Sequence, residues 1–309
     1  MADGLIAIVG PTASGKSALA VAVALRTDSE IISMDSRQVY RGMDIGTAQP
    51  TPAEQGGVVH HGLDLVTPDE RYSAGRFARD ARGWLEQIRR RGRTAVLAGG
   101  TGFFLRALMS PLFDEPALDA AVRDRLDRFL QDLPATHLAR WATALDPVGA
   151  DRVGDRQRHA RLVEVALLTG RPLSWWHEHA APAAAPVTPA VFVLDVPRDV
   201  LVQRIEARVD AMIAAGLADE VRGLLDAGYD ERDPGMNATG YIEMIPHVRG
   251  TRSLDEAAAM IRTATRQYAR RQRTWLRNQL PPTAWWLDGG RPLDALADDM
   301  ARTGVEEMA

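Results

Sequence analysis

A chain of 309 residues without a single cysteine excludes a disulfide framework and any thiolate metal site, and an apolar fraction of 46% is enough for a sizeable core in one large or two ordinary domains. The formal net charge of −4 and the pI of about 6.0 give no global pull toward nucleic acid, so any such partner has to be found in local patches. No apolar run approaches the roughly 18 residues of a membrane span, and the first apolar run leaves no room for a signal peptide, so we expect a cytoplasmic protein with no membrane partner.

Leu5-Ile6-Ala7-Ile8-Val9 reads as a short buried strand and Ala18 to Leu25 as a helix. Between them runs Gly10-Pro11-Thr12-Ala13-Ser14-Gly15-Lys16-Ser17, which fits G-x-x-x-x-G-K-[ST] in its strand–loop–helix setting. Such a loop presents backbone N–H groups and a helix N-terminus to phosphate oxygens, and the Ser17 hydroxyl is available to Mg²⁺. Lys16 is the single lysine among 37 basic residues. A composition that otherwise uses arginine keeps lysine where a compact point charge must reach phosphate oxygens inside a tight loop.

Glu30–Met34 reads as a second strand, Ala74 to Arg91 as an amphipathic helix, and Thr94–Ala98 as a third strand ending in Gly99-Gly100-Thr101-Gly102. This alternation predicts βαβ units and a parallel sheet. His60-His61 lacks a third ligand at metal spacing and reads as structural, and Arg89-Arg90-Arg91 with Arg93 reads as solvated charge at a helix end. From about 113 to 180 the pattern becomes helical, with segments over 121–133, 136–145 and 156–169, and it ends in a Pro/Ala-rich connector at 180–189. Ala190–Asp195 is again a strand, followed by helices over 198–214, 217–227 and 254–279 and a last short strand at Ala284–Leu287. The expected architecture is an α/β, P-loop NTPase-like core of residues 1–112 and 188–309, with an all-helical insertion over 113–187.

Four constellations could carry chemistry. Asp35, just past the second strand, should face the same crevice as Lys16, because the carboxyl ends of parallel strands share one side of a sheet. A carboxylate there can cap the next turn, act as a general base or hold a metal-bound water. Gly99-Gly100-Thr101-Gly102 reads either as a tight turn or as a close backbone approach to a ligand, with the Thr101 hydroxyl as a donor. Arg204 and Arg208 share one helical face. Finally, Ala257 to Leu287 holds six arginines and no acidic residue. Arg262, Arg266, Arg270, Arg273 and Arg277 follow helical steps, with Tyr268 and Trp275 interleaved, forming one basic stripe suited to a phosphodiester backbone.

As a set these residues resemble the bacterial tRNA dimethylallyltransferases, also called tRNA isopentenyltransferases. The segments are GPTASGKS (10–17), ISMDSRQVYRGMDIGTAQP (32–50), HHGLDLVTPDERYSAGRFARDA (60–81), LAGGTGFFLRAL (97–108), DRQRHARLVEVALLTGRPLS (155–174), RIEARVDAMIAAGLADEVRGLLDAG (204–228), Gly240-Tyr241 and ATRQYARRQRTWLR (264–277). They run in family order over nearly the whole chain. The resemblance implies transfer of a dimethylallyl group from dimethylallyl diphosphate to N6 of adenosine-37, next to the tRNA anticodon. Loop 10–17 would hold the diphosphate, with Mg²⁺ near Ser17. Asp35, Thr101 and Arg208 would be the catalytic residues, Asp35 as general base. The tRNA would meet Asp35, Ser36, Arg37, Gln38, Thr101, Arg123, Gln157, Arg158, His159, Ala160 and Arg161, together with Arg266 and Arg270 of the stripe. We expect a monomer. Two departures from the family pattern are visible: Ile242 follows Gly240-Tyr241 where Lys or Arg is common, and Met236-Asn237 stand where a basic residue is frequent.

The residues suit this chemistry on their own terms. An allylic diphosphate ionises readily, so the main task is to stabilise charge on the leaving group, which a P-loop, its lysine and an arginine do electrostatically. The weak N6 amine needs a proton acceptor as its C–N bond forms. A base in a single-stranded loop leaves its stack at little cost. A P-loop small-molecule kinase or an adenylate isopentenyltransferase would share the loop but would not need the insertion and the basic stripe. A non-enzymatic RNA-binding protein would explain the arginines but not Asp35 beside Lys16.

Overall fold

The computed structural model describes residues 5–113 and 119–306. Two compact units divide the chain, one running to Met109 and resuming at Val187, the other Ser110–Pro186.

The first unit is built on six parallel strands, β1 (Ile6–Val9), β2 (Ser29–Ser33), β3 (His60–His61), β4 (Thr94–Gly99), β5 (Ala190–Asp195) and β6 (Trp285–Asp288), in the order β3-β2-β4-β1-β5-β6. Its helices before Met109 are α1 (Lys16–Thr27), α2 (Asp44–Thr47), α3 (Pro52–Gln55), α4 (Ala74–Arg90) and α5 (Gly102–Met109). The second unit is helical: α6 (Ala120–Asp132), α7 (Ala135–Leu145), α8 (Pro147–Ala150), α9 (Arg156–Thr169) and α10 (Leu173–His179). The first unit then resumes with α11 (Arg198–Ala214), α12 (Leu217–Asp226), α13 (Tyr241–Val248), α14 (Leu254–Gln279) and α15 (Leu293–Glu306).

β1, β4 and β5 are largely apolar because helices cover both faces of a parallel sheet. Ile6, Ile8, Ile31, Val96 and Phe192 pack with Leu19 and Val23 of α1, and with Leu201, Ile205, Leu296 and Met300 of the later helices. Arg26 ties α1 to α15 by salt bridges to Asp294 at 2.8 Å and Asp298 at 2.6 Å. The helical unit has its own core of Leu130, Leu138, Ala142, Leu162 and Val163. There Arg156 donates to the carbonyls of Leu130, Gln131 and Leu133, the groups that the end of α6 leaves unpaired.

Several elements lie outside the sequence expectation. β3 is only two residues long, too short for a periodicity, and α13 carries Pro246 inside it. Arg91 is not simply solvated charge. Its guanidinium grips Glu30 of β2 with two hydrogen bonds, 2.9 and 2.7 Å. Glu30 is 1% exposed and also meets His61 Nε2 at 2.7 Å. A buried carboxylate requires such partners, and Arg91 foremost holds its pKa below the usual range. His61 stacks on Trp84 as well, so it is a structural residue of the sheet edge.

Candidate active site

Four loops leave the carboxyl ends of β1, β2, β4 and β5 on one side of the sheet, and the first three build the site. After β1, Ala13 and Gly15 take left-handed backbone, with φ of 62° and 94°, which bends the loop tightly ahead of α1. Gly10 has no room for a side chain, since a Cβ there would come within 2.8 Å of the Ser14 hydroxyl and 3.1 Å of the Leu194 carbonyl. The first turn of α1 carries no acidic residue, so the N–H groups and helix dipole remain open to an anion. Lys16 Nζ rests on the Pro11 carbonyl at 3.3 Å. Lys16 is half-buried, and burial lowers its pKa to about 8; Asp35 opposes that shift and Arg208 adds to it. The Ser14 hydroxyl is buried without a hydrogen-bond partner among the described residues.

Asp35 follows β2 and lines the same cleft as Thr12, Lys16, Ser17 and Arg208. Its Oδ1 accepts the Arg37 amide at 2.9 Å, while Oδ2 has no hydrogen-bond partner among the described residues. Ser36 and Thr101 are joined, with the Thr101 Oγ1 accepting the Ser36 amide at 3.0 Å and lying 3.3 Å from its hydroxyl. Thr101 also donates its amide to the Met34 carbonyl at 3.2 Å, which draws the β2 and β4 loops together. Gly99 permits this, because a Cβ there would overlap the Met34 backbone. Tyr268 of α14 lies near the Thr101 hydroxyl. Burial first, then the Asp35 charge, raises its phenol to about 12, so it stays neutral.

Arg208 of α11 lines the cleft, while Arg204 on the same helix is exposed. Arg204 donates to the Ser14 carbonyl at 2.9 Å, and Arg208 to the Thr47 carbonyl at 3.2 Å. Arg208 is half-buried and burial lowers its pKa, but a guanidinium stays charged. Gln38 is 8% exposed. It accepts from the Ser33 hydroxyl at 3.0 Å and donates to the Ala48 carbonyl at 3.1 Å, so it shapes the cleft wall rather than a free surface. Arg37 reaches the Pro234 carbonyl and Asn237 Oδ1 at 2.9 and 3.1 Å. The Asn237 that departs from the family pattern is therefore the acceptor that fixes Arg37, and Met236 beside it is fully buried.

α14 keeps the five arginines on one stripe, as their helical steps require, but the stripe is unevenly neutralised. Arg262 pairs with Asp210, Arg266 with Glu206 at 3.0 Å and Arg273 with Asp195 at 3.4 Å, which neutralises the edge that faces α11 and β5. Arg270 and Arg277 have no acidic partner among the described residues and are exposed, while Arg271 lies over the Tyr268 ring. Arg270 and Arg271 line an open groove with Thr274, Trp275, Asn278 and Gln279. The buried face of the helix carries Gln272, whose Oε1 accepts the Thr12 amide at 2.8 Å and whose Nε2 donates to the Gly100 carbonyl at 2.9 Å. Trp275, which the sequence pattern places in the basic stripe, is packed so closely against Gly102 that a Cβ there would overlap the indole.

The remaining predicted residues lie in the helical unit. Arg123 and Arg161 both clasp the buried Glu164, at 2.6 and 2.8 Å. Their charge draws the Glu164 pKa down although burial pushes it up. Arg158 pairs with Asp155 at 3.1 Å, Gln157 is exposed, His159 is half-buried, and Ala160 packs against the unit's core.

Among the described residues, no group of three or more His, Cys, Asp or Glu could hold a metal ion, and no helix is long and apolar enough to cross a membrane. A Mg²⁺ carried in with a diphosphate still fits. It keeps most of its waters and needs only one or two protein oxygens, such as the Ser17 hydroxyl in this cleft.

Comparison with known proteins agrees with this geometry. The family model for IPP transferases matches residues 38–279, and that for isopentenyl transferases matches residues 3–67. The chain is 45% identical over 275 residues to the tRNA dimethylallyltransferase of Geobacter metallireducens, covering 88% of this chain and 89% of that protein. It is 39% identical over 294 residues to that of Carboxydothermus hydrogenoformans, covering 94% of each. Among solved structures, the tRNA isopentenylpyrophosphate transferase of Bacillus halodurans superposes with a TM-score of 0.70 at 35% identity, over 99% of this chain and 97% of that one. A eukaryotic dimethylallyltransferase acting on tRNA superposes with a TM-score of 0.78 at 26% identity, over 92% of this chain and 73% of that one. With its family model spanning most of the sequence and relatives above 30% identity over nearly its full length, the chain belongs to the tRNA dimethylallyltransferase family.

Proposed function

We propose that this enzyme transfers a dimethylallyl group from dimethylallyl diphosphate to N6 of adenosine-37 in tRNA, releasing diphosphate. The observation that carries the reading is the Asp35 carboxylate, with one oxygen uncommitted, in the same cleft as Lys16, Ser17 and Arg208. That cleft has a cationic phosphate end and a proton acceptor, as the reaction requires.

Loop 10–17 binds the diphosphate through its amides and Lys16, and Arg208 faces the developing negative charge. Mg²⁺, when bound at Ser17, adds charge neutralisation on the diphosphate. The N6 lone pair forms a bond to the allylic C1 as the C1–O bond breaks, and that electron pair leaves on the diphosphate. Asp35 takes the proton released from N6. Thr101, held by Ser36, orients the reacting base, and Gln38 with Ser33 shapes the cleft wall. The anticodon strand follows the Arg270–Arg271 groove, where the charge is not neutralised. The helical unit grips the rest of the anticodon arm through Gln157 to Arg161 and through Arg123. The enzyme acts in the cytoplasm as a monomer.

Incubation with radiolabelled dimethylallyl diphosphate and tRNA, AMP or no acceptor tests the reading. Label should enter tRNA alone. Label in AMP would favour an adenylate isopentenyltransferase, and ATP hydrolysis coupled to turnover would favour a kinase.

A further inference from the structure

α2 is a single turn in the loop that follows Asp35, and it is fastened at both ends. At its N-terminal end Glu220 of α12 accepts from three successive backbone amides. Its Oε2 takes Asp44 N at 2.9 Å and Ile45 N at 2.8 Å, and its Oε1 takes Gly46 N at 3.1 Å. The same Oε1 accepts the Tyr241 hydroxyl at 2.6 Å. Tyr241 is fully buried, and its ring lies so close over Gly46 that any Cβ there would overlap it. One carboxylate thus satisfies the orphan donors of a helix start, where a negative charge is favoured.

At the other end the carbonyls of α2 face the active site. Thr47 O accepts Arg208 Nη2 at 3.2 Å, and Thr47 O and Ala48 O accept Gln38 Nε2 at 3.5 and 3.1 Å. Arg208 and Gln38 line the cleft with Lys16 and Asp35. A turn of four residues has no slack, so where Glu220 holds its amides decides where its carbonyls hold Arg208.

We propose that Glu220 and Tyr241 are positioning residues for transfer, acting through α2 on Arg208. This rests on the reading of Arg208 as a diphosphate contact. Glu220 needs both oxygens as acceptors, and an amide would turn an NH₂ group toward donors.

The test is a double-mutant cycle on labelled transfer to tRNA, using Glu220→Gln, Tyr241→Phe, Arg208→Ala and the two double variants. Glu220→Gln should lower kcat by up to about 10²-fold, the scale of a misplaced catalytic group. Tyr241→Phe, which keeps the ring over Gly46, should lower it less. The affinity for tRNA should not change in either. In the Arg208→Ala background both substitutions should cost almost nothing further. Should the losses instead multiply while Arg208→Ala alone is slow, the coupling is overturned and the role of Arg208 stands. Should Arg208→Ala transfer at the wild-type rate, the diphosphate role of Arg208 falls and the inference falls with it. If Glu220→Gln does not fold, Tyr241→Phe alone decides by the same comparison.

Discussion

Gln272 and Thr12 lie 260 positions apart in sequence, yet the Gln272 carbonyl oxygen accepts the Thr12 amide at 2.8 Å. Its amide nitrogen donates to the Gly100 carbonyl at 2.9 Å. One side chain on α14 therefore ties the loop of residues 10–17 to the Thr101 loop, and it can approach because Gly100 has no Cβ for it to meet.

Removing that tie should loosen both loops. Gln272→Ala leaves an amide and a carbonyl unpaired and should destabilise the fold by about 2 kcal/mol. Gln272→Glu keeps the acceptor for Thr12 but sets a carboxylate oxygen against the Gly100 carbonyl, so it should restore little. Both variants should bind diphosphate more weakly than wild type. Thermal unfolding with and without diphosphate measures the two effects together, and unchanged ligand stabilisation in Gln272→Ala would mean the tie does not organise the loop.

The paired and unpaired arginines of α14 should differ toward tRNA. Arg270→Glu combined with Arg277→Glu removes charge without an acidic partner, so it should weaken tRNA binding. It should also flatten the salt dependence by about 0.7 in log–log slope for each single-strand phosphate that no longer meets an arginine. Arg266→Glu, whose charge Glu206 already offsets at 3.0 Å, should cost less. Salt titrations of tRNA binding check this. Equal effects of the two changes would mean that the ion pairs do not set which arginines meet tRNA.

Lys16 should make diphosphate binding pH-dependent. Its folded pKa of about 8 lies below the ordinary lysine value. Between the two, the unfolded chain binds more protons, so this group's contribution to stability rises with pH; the cost of holding the charge is full below pH 8. Ligand binding runs the other way, because an anion favours the protonated form. Affinity for diphosphate should therefore fall from about pH 7 to about pH 9.5, by at most about tenfold per unit. Binding near pH 8 should take up protons, detected by calorimetry in buffers of different ionisation enthalpy. Lys16→Met should bind weakly with no such uptake.

The Glu30 cluster should set acid stability. Arg91 foremost lowers the Glu30 pKa, so its contribution is present above the ordinary carboxylate pKa and lost as pH falls through the depressed value. Glu30→Gln should destabilise by about 2–4 kcal/mol near neutrality, because Arg91 and His61 lose their buried partner. It should also flatten the acid limb of a plot of melting temperature against pH. An unchanged acid limb would place the acid sensitivity elsewhere.

The parts of this molecule that are visible in sequence are those encoded locally. The strand–loop–helix around Lys16, the apolar runs of β1, β4 and β5, and the long helices α11 and α14 each carry their pattern within one segment. Asp35 is legible as a site residue because parallel strands end on one side of a sheet. What sequence does not reveal is long-range. The helical spacing of Arg262, Arg266 and Arg273 gives no sign of the carboxylates 52, 60 and 78 positions away that neutralise them. Gln272 looks like any polar helix residue until the loops it joins are folded against it. Glu220 and Tyr241 fall in segments that resemble the family, but those segments do not show what the two residues hold, which is a four-residue turn some 175 positions before Glu220 in the chain.

Asp35 is the residue on which the mechanism turns, and its replacement by Asn is the most direct measurement. The substitution keeps the shape of the side chain and one acceptor oxygen but cannot take the N6 proton. Single-turnover transfer at saturating tRNA and dimethylallyl diphosphate should fall by roughly 10²–10⁴-fold. Affinity for both substrates should change far less. Rescue by high Mg²⁺ would assign Asp35 to the metal instead. Near-normal turnover of Asp35→Asn at saturation would contradict the account and leave Asp35 as a positioning residue.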